Sequence, residues 1–153
     1  MKIAKVLKVL CVGGVAALLA ALDNTIKENV ENGTIEDGES ALGGFAEIEK
    51  HHNKGLPMNK LDKHTKEITG VSSGVMVFQA LTTLYDALEK DDAVNDAANA
   101  LIMAGALSNT RDRIERGYVV DYLKVGKKRA IYNISDFFII TGVIIKAIKA
   151  IFD

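Results

Sequence analysis

The sequence predicts a mainly α protein: a four-helix bundle of the transmembrane type with a small β-rich cradle outside the helices. Four long apolar stretches support this prediction, because they contain no proline and their polar residues recur at helical spacing. The polar segments between the stretches include short runs of β-forming residues, which predict strands. A length of 153 residues is enough for one domain of ordinary size, so we expect a single domain over 1–153.

The composition excludes several classes of protein. With 48% hydrophobic and 25% charged residues, the chain lies in the globular range rather than the disordered or collagen-like range. The net charge of −1 at pH 7 provides no basic field, so a nucleic-acid partner is not expected. The single cysteine, Cys11, excludes an internal disulfide framework and a cysteine-built zinc site.

The first apolar stretch, Ile3 to Leu22, is long enough to cross a bilayer, which needs roughly 20 residues. We predict a helix over about 3–27. A start with lysines followed by an apolar core also fits a cleaved signal peptide. The length of the stretch, and the charged residues Asp23 and Lys27 that follow it directly, favour a helix of the folded protein.

The other elements follow from the same periodicity. Three further apolar stretches predict helices over about 66–89, 92–110 and 131–152. The segments left between the helices, about 28–65 and 114–130, predict the cap. Within the cap, runs of β-forming residues at 45–49 and 118–123 predict short strands.

Polar residues inside the later helices complicate a membrane assignment. At 100° per residue, Lys149 lies about 140° from Asp136 around its helix, and Asp96 lies about 140° from Asn109. If the aspartate and the asparagine face the bundle interior, these charged side chains face outward. A charge facing lipid near the bilayer centre costs about 2.5–3.5 kcal/mol. The pattern therefore leaves open a water-soluble analogue of the fold that acts as a binding or scaffold protein without catalytic activity.

The candidate chemistry lies near the end of the third helix and the start of the fourth. Asp121 lies in the strand-like run at 118–123, and Asp136 is near the start of the fourth helix with Asn133 one turn before it. A loop of about fifteen residues can fold back and bring the two aspartates together. Two adjacent carboxylates share one proton, which leaves one base to activate water and one acid to protonate a leaving amine.

A structural alternative exists for each aspartate. Asp121 can cap a segment or pair with Arg113 or Arg129, and Asp136 can be a first-turn residue that the helix dipole favours. Ser108 and Ser135 have no histidine near them in sequence, so we do not expect a serine nucleophile.

Five motifs resemble, in order and spacing, those of the bacterial lipoprotein signal peptidases (signal peptidase II). They span nearly the whole chain. The motifs are Asp23-x-x-x-Lys27, Asn53-x-Gly55, Asn109-x-x-Asp112-Arg113, Gly117-x-Val119-Val120-Asp121 and Asn133-x-x-Asp136.

The resemblance implies an aspartic endopeptidase of the bacterial cytoplasmic (inner) membrane, with four transmembrane helices and an extracytoplasmic β-rich cradle. Such enzymes cleave the signal peptide of prolipoproteins before a diacylglyceryl-modified cysteine. They need no cofactor and no metal, and globomycin-type peptides inhibit them. We accordingly expect a multi-pass monomer whose partners are the lipid-modified prolipoprotein and membrane lipid.

The resemblance also implies roles for individual residues. The catalytic residues would be Asp121 and Asp136. The substrate-binding residues would be Asn53, Gly55, Asn109, Arg113 and Asn133. The supporting residues would be Asp23, Lys27 and Asp112.

Two features depart from the family pattern. Leu56-Pro57-Met58-Asn59 follows the Asn53-x-Gly55 motif, where small or aromatic residues are usual. The segment between Asp121 and Asp136 is basic, which opposes the positive-inside rule if that loop lies outside the cytoplasm.

Overall fold

The computed structural model describes residues 2–56, 60–126 and 130–152. Within these ranges it contains four α-helices: α1 Lys2–Glu31, α2 Thr65–Glu89, α3 Ala93–Glu115 and α4 Ile134–Phe152. Its strands are β1 Ser40–Ala41, β2 Ala46–Asn53, β3 Val119–Val125 and β4 Ile131–Tyr132. Short 3₁₀ turns cover Leu42–Gly44 and Asp62–His64. The predicted fold class, four helices with a small β-rich cap, is confirmed.

The strands form one antiparallel sheet in the order β1-β2-β3-β4. The fourth helix begins at Ile134 rather than near residue 131, because Ile131 and Tyr132 pair with Lys124 and Leu123 as an added strand. The short connection through Asn133 joins this strand directly to α4. The sheet and the start of α4 are therefore held together at one end of the bundle.

α3 is the central helix, because α1, α2 and α4 all pack against it. Gly105 and Gly142 allow the closest approach, between α3 and α4. A Cβ at Gly142 would lie 2.7 Å from the Ala98 carbonyl oxygen, and a Cβ at Gly105 would overlap the Ser135 carbonyl oxygen. Backbone contact at these glycines places the start of α4 against the middle of α3.

The bundle exposes large apolar side chains on its surface, and its interior contains buried polar residues beside the apolar core. Exposed large side chains occur along the helices, for example Leu18 at 73% and Phe78 at 70% exposure. Asp23 and Lys27 are completely buried. Such an arrangement suits a bundle whose outer surface contacts lipid. Among the described residues, two helical stretches, Ile3–Glu31 and Asp62–Glu89, are long and apolar enough to cross a membrane.

The prediction that Asp96 faces outward is wrong, whereas Lys149 is partly exposed, with 32% of its side chain accessible. Asp96 is 8% exposed, and its Oδ2 lies 2.9 Å from Nζ of Lys8 on α1. Lys149 Nζ lies 3.1 Å from Asp92 Oδ2, at the start of α3. These charges form ion pairs between helices at the end of the bundle away from the sheet. Because both charges have a partner on another helix, they no longer favour a water-soluble analogue.

A second buried cluster connects the same end of the bundle. Asp86 of α2 accepts hydrogen bonds at Oδ2 from Asn95 at 2.8 Å and from Asn99 at 2.9 Å, both on α3. Gln79 donates to Asn99 Oδ1 at 3.1 Å. Buried polar groups need such partners, so these residues hold α2 to α3.

Candidate active site

A cavity of about 290 Å³ opens where the sheet meets the ends of α3 and α4. Five polar residues line it: Asn53, Asn109, Arg113, Asp121 and Asp136. The other lining residues are mostly apolar and come from β3, β4 and α4: Val119, Ala130, Ile131, Tyr132, Ile139 and Ile140. The cavity therefore combines two carboxylates, two amides and one guanidinium with an apolar wall.

Asp121 is held in place by two amide side chains. Its carboxylate accepts a hydrogen bond at Oδ2 from Asn53 Nδ2 at 3.0 Å, and another at Oδ1 from Asn133 Nδ2 at 2.9 Å. Asp121 is 3% exposed, because β3 is the best-buried strand of the sheet. Both oxygens thus have a defined direction at the wall of the cavity.

Asp136 lies in the first turn of α4 and is half-buried. Its Oδ2 accepts a hydrogen bond from the backbone N–H of Asn133 at 3.1 Å, and its own N–H donates to Asn133 Oδ1 at 3.0 Å. This reciprocal pair has the geometry of a capping box. Asn109 Nδ2 donates to the other oxygen, Oδ1, at 3.0 Å.

Asn133 therefore connects the two carboxylates. Besides its bonds to Asp121 and Asp136, its Nδ2 donates to Asn109 Oδ1 at 3.1 Å. It is fully buried. The connection between β4 and α4 is thus occupied by an asparagine that contacts Asp121, Asp136 and Asn109.

The two aspartates influence each other. Burial raises the pKa of Asp121 to about 7, and the negative charge of Asp136 contributes in the same direction. The hydrogen bonds from Asn53 and Asn133 oppose this rise. Near neutral pH, a carboxyl with this pKa exchanges its proton readily.

Arg113 faces the cavity, and its hydrogen bonds go to backbone oxygens rather than to Asp121. Its Nη1 donates to the Asn109 carbonyl at 3.2 Å, and its Nη2 donates to the Gly55 carbonyl at 3.4 Å. The Nε of Arg113 is buried without a hydrogen-bond partner. The other suggested partner of Asp121, Arg129, lies outside the described residues. Each Nη carries two N–H groups and donates one of these two bonds, so the guanidinium keeps donor capacity for a molecule that enters the cavity.

Gly55 contributes through its backbone. Its N–H donates to Asn53 Oδ1 at 3.0 Å, which fixes the orientation of that amide so that Nδ2 faces Asp121. The Leu56-Pro57-Met58-Asn59 departure falls mostly on residues 57–59, which lie outside the described residues.

Asp23, Lys27 and Asp112 do not line the cavity but form a buried ionic chain behind it. Lys27 Nζ lies 2.9 Å from Asp23 Oδ2 and 3.0 Å from Asp112 Oδ2. It also donates to Asn109 Oδ1 at 3.0 Å. Asp112 accepts a hydrogen bond from the Val120 N–H at 3.1 Å, which connects α3 to β3.

The sequence analysis missed the roles of three hydroxyl groups. Ser108, Ser135 and Tyr122 all donate to the carboxylate of Asp23. The serines had been considered only as nucleophiles. One signal was available: each of the three is the direct sequence neighbour of a motif residue, namely Asn109, Asp136 or Asp121.

Comparison with known proteins places these features in one family. The family described as Signal peptidase (SPase) II matches residues 15–152. A lipoprotein signal peptidase from Moorella thermoacetica is 32% identical over 132 residues, which are 85% of this chain and 85% of that protein. A lipoprotein signal peptidase from Solibacter usitatus is 31% identical over 137 residues, 84% of this chain and 83% of that protein.

Solved structures agree with the fold. A bacterial membrane enzyme determined by the in meso method at 2.3 Å resolution aligns with a TM-score of 0.76 at 25% identity, covering 91% of this chain and 86% of that one. A second bacterial membrane enzyme, at 1.9 Å resolution, aligns with a TM-score of 0.70 at 23% identity, covering 89% of each chain. These similarities do not support the alternative of a non-catalytic scaffold protein.

Proposed function

The chain belongs to the signal peptidase II family, and on that premise we propose that it is an aspartic endopeptidase whose catalytic residues are Asp121 and Asp136. The observation that carries the proposal is that the two carboxylates line one cavity, where the charge of Asp136 helps to raise the pKa of Asp121 to about 7. A pair that holds one proton contains both the acid and the base that peptide hydrolysis needs.

The roles follow from the contacts of the two groups. Both carboxylates accept two N–H hydrogen bonds, so burial is what distinguishes them. Asp121 is 3% exposed and Asp136 is only half-buried, so the ionised form is less costly at Asp136, which acts as the base. It takes one proton from a water molecule, and the water oxygen bonds to the carbonyl carbon of the scissile peptide. Asp121 then gives its proton to the leaving nitrogen as the carbon–nitrogen bond breaks. The pair still holds one proton at the end, now on Asp136.

Arg113, Asn53 and Asn109 would bind and orient the substrate. A peptide carbonyl in an apolar cavity lacks water, so hydrogen-bond donors preorganised near it are stronger than in solution. The Arg113 guanidinium, which lines the cavity, is one such donor. Gly55 and Asn133 contribute by fixing the amides of Asn53 and Asn109.

The proposed substrate is a prolipoprotein, cleaved just before its diacylglyceryl-modified cysteine. The apolar wall of the cavity suits a signal peptide, and the apolar outer surface of the helices suits acyl chains in the surrounding lipid. We expect globomycin-type peptides to occupy the same cavity. The enzyme would be a monomer that spans the bacterial cytoplasmic membrane several times.

The proposal is tested with purified protein in detergent and a diacylglyceryl-modified prolipoprotein as substrate, with release of the signal peptide as the measurement. We expect Asp121→Asn and Asp136→Asn each to lower the rate by about 100- to 10,000-fold. Asp91→Asn is the matched control, since Asp91 is exposed at the opposite end of the bundle. Near-normal cleavage by either site variant would overturn the assignment.

Membrane placement is tested separately by fractionation without detergent. We expect the protein in the membrane fraction, because its exposed helix surfaces are apolar. Soluble, monomeric protein that still cleaves substrate would contradict the membrane placement while leaving the catalytic assignment intact.

A further inference from the structure

We infer that the hydroxyl groups of Ser108, Ser135 and Tyr122 are positioning residues that set the geometry of the catalytic pair through the carboxylate of Asp23. The inference rests on the proposed function, because it assumes that Asp121 and Asp136 carry out the reaction. None of the three hydroxyl residues lines the cavity.

All three hydroxyl groups donate hydrogen bonds to the same carboxylate, that of Asp23. Oδ2 of Asp23 accepts hydrogen bonds from Ser108 Oγ at 2.7 Å and from Ser135 Oγ at 2.5 Å. Oδ1 of Asp23 accepts one from the Tyr122 hydroxyl at 2.8 Å. Asp23 is completely buried, as are both serines, and Tyr122 is 1% exposed. The bonds are therefore shielded from competition with water.

Each of the three hydroxyl donors is next in sequence to a residue of the candidate site. Ser108 precedes Asn109 on α3, Ser135 precedes Asp136 on α4, and Tyr122 follows Asp121 on β3. Each hydroxyl thus lies one residue from a group that lines the cavity. A single carboxylate on α1 holds the backbone of three separate elements at the points where they present the site.

Tyr122 adds a direct link between the two catalytic elements. Its hydroxyl oxygen accepts a hydrogen bond from the Ile134 N–H at 3.3 Å, at the first residue of α4. Burial and the charge of Asp23 raise the pKa of Tyr122, so the hydroxyl keeps the proton that it donates. Tyr122 therefore joins β3, α1 and the start of α4 through one oxygen atom.

A second connection runs from Asp23 through Lys27. Lys27 forms an ion pair with Asp23 and donates to Asn109 Oδ1, and Asn109 donates in turn to Asp136. Weakening the hydroxyl contacts would let Asp23 and Lys27 shift together and would change the direction of the Asn109 amide. A displacement of about 1 Å is enough to slow an enzymatic reaction about 100-fold.

The experiment removes one hydroxyl at a time, with Ser135→Ala, Ser108→Ala and Tyr122→Phe, and measures kcat, KM and thermal unfolding in detergent. Each change deletes a hydroxyl and adds no volume. We expect kcat to fall about tenfold or more while KM stays within about twofold, because substrate still meets an intact cavity wall. Ser73→Ala and Tyr85→Phe on α2 are the matched controls, since their side chains lie outside the site.

Three outcomes would overturn the inference. One is a kcat within about twofold of the wild-type value in all three variants. Another is a loss of activity that only follows a loss of folded protein, because that would make the hydroxyls structural. A third is a rise in KM with an unchanged kcat, which would assign them to substrate binding. Asp121→Asn is assayed alongside: if that variant remained active, the proposed function itself would fail, independently of the hydroxyl results.

Discussion

Asn133 Nδ2 lies 2.9 Å from Oδ1 of Asp121, although Asp121 is on β3 and Asn133 lies in the connection between β4 and α4. The same asparagine exchanges two hydrogen bonds with Asp136. One amide side chain therefore determines the mutual placement of both candidate catalytic carboxylates. Four predictions follow from this arrangement and from the groups behind it.

Asn133→Ala should abolish most activity. The change removes one of the two donors to Asp121 and the acceptor for the Asp136 N–H, so the two carboxylates lose the side chain that connects them. We expect kcat to fall about 100-fold or more, measured as prolipoprotein cleavage. Asn32→Ala, in an exposed turn after α1, is the control and should cleave normally. A variant at Asn133 that cleaves at the wild-type rate would contradict the bridging role.

The rate of cleavage should fall as the pH rises above about 7. Asp121 has a raised pKa of about 7, so its protonated form is complete below that pH and is lost above it. Because the proposed acid must be protonated, kcat should decrease about tenfold for each further pH unit. The measurement is a pH–rate profile in detergent, with unfolding followed at each pH. A rate that stays constant up to pH 9 in folded protein would show that Asp121 is not the acid.

Lys27→Met should destabilise the protein strongly. Lys27 is completely buried between Asp23 and Asp112, and its loss leaves two buried carboxylates without their shared cation. Breaking a buried ion pair from one side costs about 3–5 kcal/mol of unfolding free energy. Lys5→Met on the same helix is the control, because Lys5 forms an exposed ion pair with Glu89. Its removal should cost less than about 1 kcal/mol. Thermal unfolding of both variants is measured, and equal unfolding temperatures for Lys27→Met and Lys5→Met would refute the prediction.

Gly105→Ala should impair both stability and activity. A Cβ there would overlap the Ser135 carbonyl oxygen, so α4 would have to move away from α3 next to Asp136. Overpacking of this kind costs about 1–3 kcal/mol. Gly74→Ala on α2 is a suitable comparison, since no atom lies within 4 Å of a Cβ at that position. Thermal unfolding and the rate of cleavage are measured for both variants. Equal unfolding temperatures and equal rates for Gly105→Ala and Gly74→Ala would argue against the close contact between α3 and α4.

Local sequence signals predicted the four helices, although α1 and α3 extend to Glu31 and Glu115, beyond the predicted ends at 27 and 110. α2 begins at Thr65 and ends at Glu89, against a predicted 66–89. Helix periodicity depends on residues three and four apart, so it can be seen without knowledge of the fold. The start of α4 was predicted three residues early, because the pairing of β4 with β3 is a contact between distant segments.

The prediction that Asp96 faces outward was wrong because of how α3 packs against the other helices. The angular argument assumes that a helix has one buried side and one exposed side. α3 instead packs against α1, α2 and α4, so positions on several of its sides are buried. Asp96 meets Lys8 of α1 there, and nothing in the spacing of either helix indicates that partner.

The sequence by itself determined the four helices and the order of the polar motifs, because both depend on residue types at short spacing. Only the tertiary structure decided which polar groups meet. Asp23 receives its hydroxyl donors from residues 85, 99 and 112 positions away. Asn133 aligns Asp121 with Asp136 because β4 pairs with β3 directly before α4 begins. Such contacts arise from the packing of the sheet, α1 and α4 around α3, which brings together buried polar groups that must find partners inside the protein.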